Sequence, residues 1–246
     1  MLELLIINPN TSASVSALLQ RHAQAAAGSA ARVRTVSARF GAPYIACEAS
    51  YAVAAHATLD AWAAALAQPG PRPDAVLIGC FGDPGLLALR DCSSVAVTGL
   101  AEAAFVQAAR VGRFAVVTGG ARWKPMLERC AQQSGHATTL AGIHTVAPTG
   151  AELAVDPVGA RRLLGHACRD AARAFDARAV ILGGAGLAGM AADIQPGVEV
   201  PVIDSVVAGV SHALWLRGAS APRGSDRFDV EWQHLCIEMT SRGRAG

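Results

Sequence analysis

The stretch Asp74-Ala-Val-Leu-Ile-Gly-Cys-Phe-Gly82 has a near copy later in the chain, Arg178-Ala-Val-Ile-Leu-Gly-Gly-Ala-Gly186. Each is a short apolar run that ends in a glycine-rich turn, the pattern of a buried strand and its carboxyl end. The segments that follow also match, Val95-Ala-Val-Thr-Gly99 with Val200-Pro-Val-Ile-Asp204. The repetition predicts a chain built from two related halves.

Short apolar runs and longer helix-like segments alternate along the whole sequence. Strands are predicted at 2–7, 32–36, 75–79, 95–97, 114–117, 138–146, 179–182 and 200–203. Helices are predicted at 12–27, 48–67, 84–91, 100–110, 121–134, 157–175, 205–216 and 227–241. This alternation indicates an α/β fold with parallel sheets covered on both faces.

The two halves predict two similar lobes related by a pseudo-twofold, residues 1–98 plus 206–246 and residues 99–205. Ligands of open α/β sheets bind beyond the carboxyl ends of the strands. We therefore expect the active site in a cleft between the lobes, walled by the loops at 79–85 and 183–189. The polar stretch 218–226 is either a lid or a loose connection to the last helix.

Composition excludes several classes of function. The 246 residues carry a net charge of +2 from 21 basic and 19 acidic side chains, without a basic run, so a nucleic-acid partner is not expected. The only lysine is Lys124, which argues against pyridoxal phosphate chemistry. Neither the six scattered cysteines nor the seven histidines show metal-ligand spacing. The N-terminus resembles a first strand and not a signal peptide, and no membrane span is predicted.

Cys80 is the first candidate for chemistry, since it directly follows a predicted buried strand. Asp83 suits the N-cap and Pro84 the first position of the predicted helix 84–91. A thiol beside such a helix start would have a lowered pKa that favours thiolate. The alternative is a small buried cysteine that packs under a turn.

The second candidate is the glycine-rich loop 183–189. From Gly184 it has the spacing G-x-G-x-x-G of a dinucleotide fingerprint, and Asp204 lies 20 residues further on. Too few residues follow for a nicotinamide-binding half, so we interpret it as a tight loop whose N–H groups hold an anion or enolate oxygen. Asn8-Pro-Asn-Thr-Ser12 ends the first strand in a turn with a Thr or Ser N-cap, and Thr118-Gly-Gly120 occupies the matching place in the second half.

Three motifs resemble the hydantoin racemase branch of the aspartate/glutamate racemase superfamily: Ile7-Asn-Pro-Asn-Thr-Ser12, Cys80-Phe-Gly-Asp-Pro-Gly85 and Val200-Pro-Val-Ile-Asp204. The resemblance runs from about residue 2 to residue 215. It implies two α/β lobes, no cofactor, and final helices that return to the first lobe. It also implies Cys80 as one catalytic residue. The predicted substrate-binding residues are Pro9, Asn10, Thr11, Ile45, Phe81, Gly82, Thr118, Gly119, Gly183, Ala185 and Gly186.

Racemases of this kind use two cysteines on opposite faces of the substrate, because an enolate protonated on one face keeps one configuration. The second cysteine is expected in Leu-Gly-Cys-Ala-Gly, and this chain has Leu182-Gly-Gly-Ala-Gly186. The second acid/base position is therefore Gly184. No other cysteine obviously replaces it.

Several functions stay open at this point. The first is a cofactor-independent racemase in which Cys80 moves a proton α to a carbonyl and N–H groups stabilise the enolate. The others are a one-cysteine decarboxylase or isomerase of malonate-like substrates, and a non-catalytic binder of the same fold. The expected partner is a small carbonyl, carboxylate or hydantoin-type molecule. We also expect a cytoplasmic homo-oligomer.

Overall fold

The computed structural model describes residues 1–219 and 224–243, and contains two four-stranded parallel sheets flanked by helices. The first sheet has the order β2-β1-β3-β4, formed by β1 (Leu2–Asn8), β2 (Ala31–Ser37), β3 (Ala75–Ile78) and β4 (Ala96–Gly99). The second has the order β6-β5-β7-β8, formed by β5 (Phe114–Gly119), β6 (Leu140–Val146), β7 (Ala179–Leu182) and β8 (Val202–Asp204). The same strand order recurs in both sheets, as the repeated sequence predicts.

The described ranges contain ten α-helices, the last two of which follow the final strand: α1 (Ala13–Ala27), α2 (Glu48–Ala67), α3 (Leu86–Cys92), α4 (Leu100–Ala109), α5 (Trp123–Gln133), α6 (Gly150–Val155), α7 (Pro157–Ala174), α8 (Met190–Ile194), α9 (Ser205–Ala219) and α10 (Ile237–Thr240). Short 3₁₀ turns occupy Ala185–Leu187 and Gln195–Gly197. Crossover helices of this kind are what parallel neighbouring strands require.

The chain divides into two compact units. Unit 1 contains Met1–Gly79, Pro84–Thr98 and Val210–Gly246, and unit 2 contains Cys80–Asp83 and Gly99–Gly209. The segment that carries Cys80 thus belongs to unit 2, although it follows a strand of the first sheet. Whether the limits 1–98 plus 206–246 and 99–205 mark two domains stays a prediction.

The central strands explain why each sheet forms. All four side chains of β3 and of β7 are buried, which is the burial expected of a strand covered on both faces. In unit 2, α7 covers the sheet with one apolar face that includes Ala160, Leu164, Ala167 and Cys168. Asp156 caps α7 through the N–H of Gly159, next to a proline in the first turn.

Two predicted helices differ from the structure. Only Ile237–Thr240 of the predicted helix 227–241 is helical, because residues 226–228 form tertiary hydrogen bonds instead and His234 has a φ of +59°. The helix predicted at 84–91 begins only at Leu86, because Gly85 adopts a left-handed conformation at its N-cap. Residues 220–223 of the stretch 218–226, the lid or loose connection, lie outside the described residues.

The C-terminal segment belongs to unit 1, as the family resemblance implies. Arg39 donates to both carboxylate oxygens of Asp60 and of Glu238, and so connects α2 to α10. The Cys236 thiol also donates to Asp60, with an Sγ–Oδ1 distance of 3.0 Å. None of the helices in the described ranges is long and apolar enough to span a membrane.

Candidate active site

The carboxyl edge of the second sheet brings several predicted site residues together. Val117 of β5 is in register with Leu182 of β7, and the Gly183 N–H donates to the Val117 carbonyl at 2.9 Å. Thr118 therefore lies beside Gly183, where β5 and β7 end. The Thr118 side chain is buried, and its hydroxyl has no hydrogen-bond partner among the described residues. It is free to bind a polar ligand.

The turn Cys80–Asp83 lies against this edge. A hydrogen bond of 3.1 Å from the Asp83 N–H to the Cys80 carbonyl closes the turn. The Phe81 ring occupies the space that a side chain at Gly183 would fill. Gly82 has a φ of +139°, and a Cβ there would lie 2.6 Å from the Trp123 ring. Both glycines are thus needed for the turn to seat on unit 2.

Asp83 caps a different helix from the one predicted. Its carboxylate accepts the N–H groups of Ala101 at 2.9 Å and of Glu102 at 2.7 Å, both in the first turn of α4. Burial raises the pKa of Asp83 to about 7, against the lowering effect of these two donors. Pro84 lies outside α3, and its carbonyl accepts the hydroxyl of Thr58.

The predicted lowering of the Cys80 pKa is wrong for this structure. The residue is 7% exposed, and burial, together with the negative charge of Asp83, raises the pKa of the thiol above its ordinary value. The helix expected to lower the pKa begins six residues later, at Leu86. Cys80 is therefore a neutral thiol near pH 7, the form that donates a proton.

Gly184 has a backbone conformation that favours glycine, with φ +145° and ψ 132°. Its N–H donates to the Ser205 hydroxyl at 3.3 Å. A Cβ there would be 3.4 Å from Leu187, an ordinary contact, so conformation and not space restricts this position. A cysteine at position 184 would therefore adopt this backbone conformation only with strain.

The loop after β7 offers fewer free N–H groups than predicted. Those of Gly183 and Gly184 already donate to Val117 and Ser205. Those of Ala185 and Gly186 have no acceptor within the part of the chain that is described. These two N–H groups are the candidates for holding a carbonyl or enolate oxygen.

The predicted residues of unit 1 form a polar turn after β1. The buried Asn8 donates through Nδ2 to the Asn10 Oδ1 at 3.0 Å, and Asn10 Oδ1 also accepts the Ser12 N–H. Ser12 caps α1, as predicted, and Thr11 donates to the Ala42 carbonyl. The Asn10 amide nitrogen has no acceptor among the described residues and is available to a ligand. The remaining predicted residues of unit 1, Pro9 and Ile45, are also buried.

A surface cavity of about 830 Å³ lies elsewhere in unit 2, lined by residues between Ala147 and His166. None of the predicted site residues lines it, so we do not assign the chemistry to it. Among the described residues, no cluster of His, Cys, Asp or Glu could hold a metal ion.

Comparison with known proteins gives the family. The model of the Asp/Glu/Hydantoin racemase family matches residues 4–213. The chain belongs to this family. A hydantoin racemase from a Pseudomonas species is 32% identical over 219 residues, which cover 85% of this chain and 83% of the relative. The protein is accordingly an isomerase of the racemase type.

Solved structures agree with this assignment. An allantoin racemase from Klebsiella pneumoniae superposes with a TM-score of 0.86 at 29% identity, covering 99% of each chain. An arylmalonate decarboxylase has a TM-score of 0.61 at 18% identity, covering 89% of this chain and 94% of its own, and shares the fold alone.

The structure adds Asp83 to the residues around Cys80. The motif Cys80-Phe-Gly-Asp-Pro-Gly85 contains Asp83, but the sequence pattern predicts it as the N-cap of the helix that directly follows, not of α4. The Ala101 N–H that Asp83 accepts, in the first turn of α4, lies 18 residues away in sequence.

Proposed function

We propose that this racemase acts on hydantoins substituted at C5 and moves the hydrogen on that carbon, with Cys80 as an acid/base. The main support is Cys80 itself, a thiol in the turn beside Gly183, in a chain 32% identical to a hydantoin racemase. Allantoin is itself a hydantoin with a ureido group on C5. The names of both relatives therefore agree on a ring whose C5 hydrogen is acidified by an adjacent carbonyl.

The proposed step breaks the C5–H bond and moves its electron pair into the carbonyl, which becomes an enolate oxygen. The Cys80 thiolate takes the proton, or in the opposite direction the neutral thiol returns it to C5. The N–H groups of Ala185 and Gly186 are available to stabilise the oxygen, and the Thr118 hydroxyl to orient the ring. Contributions of Pro9, Asn10, Thr11 and Ile45 to binding remain predictions.

Gly184 leaves no thiol at the position predicted for the second acid/base. Complete racemisation then requires that another group, such as a bound water, protonate the second face of the enolate. If no group does so, the hydrogen at C5 exchanges with solvent while the configuration is retained. Experiment can distinguish complete racemisation from exchange with retained configuration.

The test incubates each enantiomer of a 5-substituted hydantoin, and of allantoin, in D₂O while optical rotation and mass are followed together. Racemisation brings the rotation to zero from both enantiomers while one deuterium enters. Exchange without loss of rotation would limit the protein to one face, and carbon dioxide release from an arylmalonate would instead indicate a decarboxylase. Exchange no faster than in buffer, with ligand-dependent thermal stabilisation, would indicate a binder and contradict the proposal.

Cys80→Ala should reduce exchange to the buffer rate if the thiol moves the proton. Cys168→Ala is the matched control, because this cysteine is also buried in unit 2 but lies on the core-facing side of α7. The control should keep its exchange rate per folded molecule. Unchanged exchange in Cys80→Ala would remove Cys80 from the mechanism.

A further inference from the structure

Asp83 is a buried acid that the step above does not use, three residues after Cys80. It accepts the N–H groups of Ala101 and Glu102, which have no acceptor within α4 because they lie in the first turn of that helix. The carboxylate thereby connects the end of the thiol-bearing turn to the start of a ten-residue helix.

Gly99 shows that the surrounding backbone is shaped around this carboxylate. A Cβ at position 99 would overlap the Asp83 carboxyl group, although Gly99 has a φ of −126° that any residue can adopt. The side chain of Asp83, and not backbone conformation, therefore requires glycine there. Asp83 itself has a φ of +56°, a left-handed conformation that Asp tolerates better than most residues.

The charges around Asp83 give this connection an electrostatic consequence. The Glu102 carboxylate on α4 disfavours the ionised form of Asp83, and Asp83 in turn disfavours ionisation of Cys80 in the turn and of Cys130 on α5. A carboxylate in this position opposes ionisation of the neighbouring thiol, in addition to the effect of burial.

We propose that Asp83 is a positioning residue for Cys80: its carboxylate fastens the thiol-bearing turn to α4 and places a negative charge beside the sulfur. This inference rests on the proposed function of Cys80. Above about pH 7, where Asp83 is ionised, its charge favours the neutral thiol, which protonates the enolate carbon while sulfur keeps the electron pair of the broken S–H bond. The resulting thiolate is a stronger base because of the same charge, which suits it to remove the next C5 proton.

The test measures alkylation of Cys80 by iodoacetamide, followed by peptide mass mapping, which needs no substrate. Asp83→Asn removes the charge and keeps the size of the side chain. Gly99→Ala displaces the carboxylate and keeps its charge. Asp156→Asn and Gly159→Ala are matched controls, because Asp156 caps α7 in the same way and a Cβ at Gly159 would overlap it, but Asp156 is exposed.

At pH 8 we expect iodoacetamide to alkylate Cys80 about tenfold faster in Asp83→Asn than in the wild type, because a neutral amide no longer opposes ionisation of the thiol. Gly99→Ala should also accelerate alkylation, because the turn loses its attachment, and both controls should stay within about twofold. A wild-type rate in either test variant, with an unchanged circular dichroism spectrum, would overturn the proposal.

A measurement on the wild-type chain covers the case in which the variants do not fold. Because Asp83 titrates near pH 7, its growing charge should raise the thiol pKa as pH rises. The alkylation rate of Cys80 should then increase by clearly less than about tenfold per pH unit between pH 6 and 8. A full tenfold increase per unit would overturn the proposal. Loss of the proposed function would instead appear as unchanged deuterium exchange in Cys80→Ala.

Discussion

Introducing a side chain at Gly184 tests whether the loop, and not only its sequence, has lost the second thiol. Gly184→Cys and Gly184→Ala both force an L residue into φ +145° and ψ 132°. Such a conformation costs about 1–3 kcal/mol, while the space beside Leu187 is sufficient for a Cβ. The two variants should therefore be destabilised by similar amounts, since they share the strain and differ only in the thiol.

For a chain of this length that cost corresponds to a Tm lower by roughly 2–12 °C. Gly165→Ala is the control, because Gly165 lies within α7 and a Cβ there would have 4.0 Å of clearance. It should be neutral or stabilising by up to about 1 kcal/mol. Differential scanning calorimetry of the three variants measures the effect.

Gly184→Cys also carries a functional expectation. If the strained loop relaxes enough to present the thiol, the variant should lose optical rotation faster than Gly184→Ala from either hydantoin enantiomer. Equal stability of Gly184→Ala and wild type would refute the argument from backbone conformation. A stable, racemising Gly184→Cys would show that the loop accommodates the second cysteine without cost.

Three further predictions follow from single contacts. Gly183→Ala places a methyl group inside the Phe81 ring, so it should destabilise the chain by about 1–3 kcal/mol in urea unfolding and reduce exchange activity; full activity would contradict this. Asp83 retains its proton up to about pH 7 in the folded chain but loses it near pH 4 in the unfolded chain. Between these pH values the free energy of unfolding of the wild type should therefore fall, relative to Asp83→Asn, by up to about 1.4 kcal/mol per pH unit as the pH rises. A difference in unfolding free energy that does not change with pH would exclude this titration. Asp60→Ala removes the buried carboxylate that accepts from both Arg39 and Cys236 and should cost about 2 kcal/mol or more, whereas Glu238→Gln, at a more accessible carboxylate, should lower the Tm less. Equal effects of the two substitutions would contradict the larger contribution assigned to Asp60.

Local patterns predicted most of the scaffold. The eight strands and the helices from residue 12 to residue 219 follow from apolar runs and their periodicity, because burial on both faces of a parallel sheet leaves a clear signal. The short helices α6 and α8 were not predicted, since each is under seven residues and flanked by Gly or Pro. Their formation depends on packing against other elements.

The predictions that failed concern features set by residues far apart in sequence. The segment 227–241 contains helix-compatible residues, but Phe228 and Trp232 pack edge-on and Phe228 contacts the buried Trp62 of α2 instead. Asp83 resembles a local N-cap and serves α4. The predicted lowering of the Cys80 pKa fails for the same reason, because burial by residues far apart in sequence raises the pKa and the following helix begins later than expected.

The role of Cys80 is tested most directly by deuterium uptake at C5 of a 5-substituted hydantoin in D₂O, measured by mass spectrometry for wild type, Cys80→Ala and Cys168→Ala against a buffer blank. We predict uptake above the blank for the wild type and for Cys168→Ala, and uptake equal to the blank for Cys80→Ala. Uptake by Cys80→Ala at the wild-type rate would contradict the assignment of the acid/base to this thiol.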